Sequence, residues 1–158
     1  MRIEKLKELM EYNIEFGKHL LTKDGKLFPV AFMICENDMG IIPLSFKDEN
    51  EKDIQVKILR ELGKAKNADA IFMMTESWYV TTKNKEELGT DLSKHPMRKE
   101  CILVIGECEY GRIAIIQIFE RKNDEIIFGE KIYMDRLCFT RFDFGLKDKK
   151  ISTDPTLN

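Results

Sequence analysis

At 158 residues, 43% hydrophobic and 34% charged, the chain has the length and composition of one globular domain, which excludes intrinsic disorder and two ordinary domains alike. Its 26 basic and 28 acidic residues leave a net charge of −2 with both signs interspersed, so no electrostatic attraction to nucleic acid or anionic lipid is implied. No apolar run approaches the roughly 18 residues that span a bilayer. "MRIEKLKELMEY" carries acids where a signal peptide needs an apolar core, so a cytoplasmic, soluble protein is expected.

In chain order, Ile3, Leu6, Met10, Ile14, Gly17 and Leu21 recur at steps of three and four and predict an amphipathic helix over 3–21, which "TKDGK" ends. "LFPVAFMIC" and "GIIPLSF" read as two strands joined by hairpin chemistry in "ENDMG", with Pro29 and Pro43 pushed toward strand ends or an edge. Asp48 with Glu51 forms a capping-box variant, and Ile54, Ile58, Leu62 and Ala65 follow at helical spacing, so a second helix over 49–66 is expected. "AIFMMTESWYVTT", "ECILVIGECE", "RIAIIQIFE" and "EIIFGEKIYM" then read as a meander of four strands, the last two joined through "RKND".

The order α-β-β-α-β-β-β-β predicts an α+β fold: an antiparallel sheet of about six strands with two helices on one face. Residues 1–135 form the single domain, and 136–158 a tail that is partly packed and then frayed. A turn at Tyr110-Gly111 would put Ile102, Val104, Gly106 and Cys108 on one face with Ile113, Ile115, Gln117 and Phe119. Cys101, Leu103 and Ile105 then share the other face with Ala114, Ile116 and Ile118. Both faces are apolar, and helices on one of them leave the second to be covered by the tail from Leu137 to Phe144, by a second copy of the chain, or by another partner. The expectation is a homodimer through that second face.

The chemistry-bearing residues gather around the long polar excursion from Lys83 to Glu100. Strand parity places Glu76 and the only tryptophan, Trp78, on one face, and Pro96 should hold "KHPM" extended so that His95 and Arg98 point toward the next strand. Glu76, Trp78, His95, Arg98 and Glu100 then converge. Arg98 would bridge the two carboxylates, because a planar guanidinium satisfies two where lysine does not. The cluster reads either as an ion-pair clasp or as a pocket in which His95 with Glu76 or Glu100 does acid–base work and Arg98 binds an anion. A non-catalytic binding protein is the first reading, and a metal-independent enzyme the alternative.

Cys35, Cys101, Cys108 and Cys138 lack metal-ligand spacing and read as reduced structural thiols, and no nucleotide-loop, nucleophile-elbow or calcium-loop motif occurs, so no metal or cofactor is implied. Glu107 and Glu109, near Arg112, read as cross-strand ion-pair partners. Only two glutamines occur against abundant Lys, Glu and Ile, a bias shared with proteins from hot environments. "ESW" at Glu76 to Trp78 followed by "HPMRKE" at His95 to Glu100 resembles a signature of small uncharacterised prokaryotic and phage-linked proteins, a resemblance that implies a recurring unit and no activity.

Overall fold

The structure is a computed structural model and describes residues 1–81, 92–134, 144 and 146. The chain runs α1 (Ile3–Asp24), β1 (Val30–Cys35), β2 (Asp38–Pro43), α2 (Glu49–Lys66), β3 (Ala70–Tyr79), a short 3-10 turn (Leu92–Lys94), β4 (Lys99–Cys108), β5 (Gly111–Lys122) and β6 (Glu125–Met134). All six strands form one antiparallel sheet in the order β2-β1-β3-β4-β5-β6. The α+β class and the element order are those expected. α1 ends where Gly25 takes the left-handed conformation and returns its N–H to Leu21. α2 starts at Asp48, whose carboxylate accepts from the Glu51 amide at 2.8 Å while Glu51 reaches back to the Lys47 amide.

The two helices do not share a face. α1 packs Leu6, Met10, Ile14 and Leu21 against Phe32, Phe72, Met74, Ile102, Val104, Ile113 and Ile115. α2 packs Val56 and Leu59 against Ala31, Met33, Ile71 and Met73, the alternate residues of the same strands. Glycines mark both approaches: a Cβ on Gly106 would sit 2.6 Å from the Met10 sulfur, and one on Gly63 would sit 2.7 Å from Ile71. The cause is topological. β2 and β3 both run antiparallel to β1, so they are parallel to each other and α2 is the crossover that carries the chain across β1.

This arrangement corrects the expectation that both helices pack on one face. Beyond α2, the second face is capped by Phe144 and Leu146, both buried against Ile105 and Ala114, and Cys101, Ile116 and Ile118 are also buried. The apolar residues named on that face are thus buried within the one chain. The expected face assignment in β4 and β5 holds, with Ile102 opposite Gln117 and Val104 opposite Ile115. The turn lies at Glu109-Tyr110, one residue early, which slides the register by two and preserves the parity. The first hairpin likewise turns at Glu36-Asn37, with Glu36 at positive φ and Gly40 inside β2.

The residues whose spacing marked α2 in the sequence are not those it buries most deeply. Val56, Leu59 and Gly63 face the sheet, whereas Ile54 and Ile58 are 48% and 59% exposed. The tail expected over 136–158 is described only at Phe144 and Leu146, and the first part of the long excursion, 82–91, lies outside the described residues, as does Cys138.

Candidate functional site

The five residues singled out in the sequence lie near one end of the sheet, where β3 finishes and β4 begins. Trp78 is opposite Glu100 and Glu76 opposite Ile102, so the strands flanking the excursion do pair. Glu100 in turn faces Phe119 on β5. Parity sets Glu76, Trp78, Glu100, Phe119 and Arg121 on the α1 face, next to the C-terminal end of that helix.

The residue that joins them is Arg121, not Arg98. Its Nη1 donates to the Gly25 carbonyl at 2.6 Å and its Nε to Glu100 Oε1 at 3.1 Å, and Nη2 lies 3.5 Å from Glu76 Oε2. The guanidinium also stands 5.4 Å from the Phe119 ring. The other Glu76 oxygen accepts from the Leu27 amide at 2.6 Å. One arginine and one glutamate thus fasten the segment leaving α1, from Gly25 to Leu27, onto the sheet. The cation sits where the helix dipole favours it.

Arg98 takes another role. Its guanidinium covers the Trp78 ring at 4.9 Å and donates to the His95 carbonyl at 3.1 Å. The His95 to Arg98 segment is not extended as expected. Pro96 occupies the second position of a turn closed by the Arg98 amide on the His95 carbonyl at 3.2 Å, a position for which its fixed φ is suited. His95 Nδ1 accepts the Met97 amide at 3.0 Å and braces the same turn.

An open groove of about 830 Å³ runs past this cluster, with Trp78, Pro96, Arg98, Glu100, Phe119 and Arg121 among its lining and Ile127, Gly129 and Glu130 on its β6 side. General acid–base work needs a carboxylate or imidazole nitrogen able to exchange a proton with substrate. Glu76 has both oxygens engaged, Glu100 is tied to Arg121 through one, and His95 Nδ1 holds a backbone amide. At 28% exposure for each carboxylate and 39% for Arg121, the ion pairs are wet.

Beside it, the bulge between β5 and β6 is served by Gln117, whose amide donates at 3.0 Å to both the Ile118 and the Gly129 carbonyls from a buried position.

A second polar centre is fully buried. Glu107 Oε1 accepts from Arg112 Nε at 2.9 Å, the cross-strand pair read from the sequence, and Oε2 accepts the Phe144 amide at 2.8 Å and the Leu146 amide at 3.4 Å. It is the anchor for the segment that caps the second face. Glu109 does not share Arg112 and instead lies 3.8 Å from the N-terminal amine. Cys35, Cys101 and Cys108 are free thiols, and burial pushes Cys101 up to about 12 against the opposing effect of a backbone hydrogen bond at Ser77. Among the described residues no three His, Cys, Asp or Glu side chains are grouped to hold a metal ion, and no helix is long and apolar enough to cross a membrane.

Sequence reasoning missed Arg121 because β5 was ended at Glu120. The available signal was Asn123-Asp124, both at positive φ, a two-residue hairpin turn that keeps Arg121 and Lys122 in the strand. No protein-family model, curated protein or solved structure matches the chain.

Proposed function

We propose that this chain is a non-catalytic cytoplasmic protein that acts by binding and works as a homo-oligomer. One observation carries the reading: α2 has two apolar stripes and the fold buries only one. Val56, Leu59 and Gly63 meet the sheet, while Ile54 and Ile58 stand exposed on the outer side with Leu62 half-buried at its margin. An isolated exposed isoleucine needs no explanation, but two at helical spacing form a contact row that water alone does not favour. The engagement of Glu76, Glu100 and His95 in holding the chain together supports binding over acid–base catalysis.

Sedimentation velocity over a dilution series through the micromolar range tests the proposal. It predicts a species of twice the 18.5 kDa chain mass that dissociates on dilution. A constant 18.5 kDa throughout would overturn it.

A further inference from the structure

We draw no further inference here: the strongest candidate, the open groove that Trp78, Pro96 and Arg98 line at the end of the sheet, mixes acidic with basic side chains along its walls, and nothing in the structure shows what would occupy it.

Discussion

Replacing Arg121 by alanine removes a side chain that ties the end of α1 to the sheet, and the structure sets the size of the loss. Two ion pairs go, to Glu100 at 3.1 Å and Glu76 at 3.5 Å, and partly exposed pairs of this kind are worth about 0.2–1 kcal/mol each. The charged hydrogen bond to the Gly25 carbonyl at 2.6 Å goes as well, worth about 1 kcal/mol at a site this wet. Glu76 keeps the Leu27 amide and Glu100 reaches water, so no stranded buried charge is added. Arg121→Ala should therefore lose about 2 kcal/mol. Arg98→Ala should lose about 0.5–1 kcal/mol, the value of an exposed cation–π contact. Arg121→Lys should recover less than half, because one ammonium cannot reach acceptors on α1, β3 and β4 together. The assay is the urea midpoint at one fixed protein concentration and constant m. A larger loss at Arg98 than at Arg121 would refute the assignment of the clasp.

Glu107→Ala strips Arg112 and two backbone amides of a fully buried partner, so a loss of about 3–5 kcal/mol is expected, with limited proteolysis then opening the segment around Phe144. A loss below about 1 kcal/mol would mean that the segment is not anchored there. Peptide mapping after alkylation at mildly alkaline pH should find Cys35 modified well before Cys101 and Cys108, because burial keeps Cys101 protonated. Early labelling of Cys101 would contradict its burial. At Glu15, burial opposes ionisation but the Lys131 hydrogen bond and the charges of Lys18 and Lys131 outweigh it and hold the carboxyl below the usual carboxylate range. Its stabilisation is thus present above the unfolded pKa and is lost as the pH falls through the folded one. Glu15→Gln should cost less than about 0.5 kcal/mol at neutral pH and nothing in acid, read from urea midpoints at both.

The elements were legible because their periods are clean. Leu6, Met10, Ile14 and Leu21 repeat as one helix face, and the alternation in β4 and β5 survives a register shift of two because parity is all that assigns a face. What periodicity does not carry is direction. α2 holds two stripes of similar spacing, and the sign that Val56, Leu59 and Gly63 face inward was Gly63, a glycine in a helix interior where Ile71 comes close. The placement of the helices on opposite faces was hidden because it depends on strand order, with β3 joining β1 on the side away from β2. At the site, carboxylates on one sheet face were predictable from parity, and so was the need for a guanidinium between them. Which arginine supplied it turned on two residues at the end of β5. His95 and Arg98 were read as partners of that cluster, but Pro96 folds them into a turn of their own against Trp78.

The claim that this protein self-associates through the exposed Ile54 and Ile58 is tested most directly by intermolecular methyl NOEs in a sample mixed from labelled and unlabelled chains. The account predicts intermolecular cross-peaks from the Ile54 and Ile58 methyls, fading as the sample is diluted, with none at Ile41. Intermolecular cross-peaks confined to Met39 and Ile41, or none at any concentration, would contradict it.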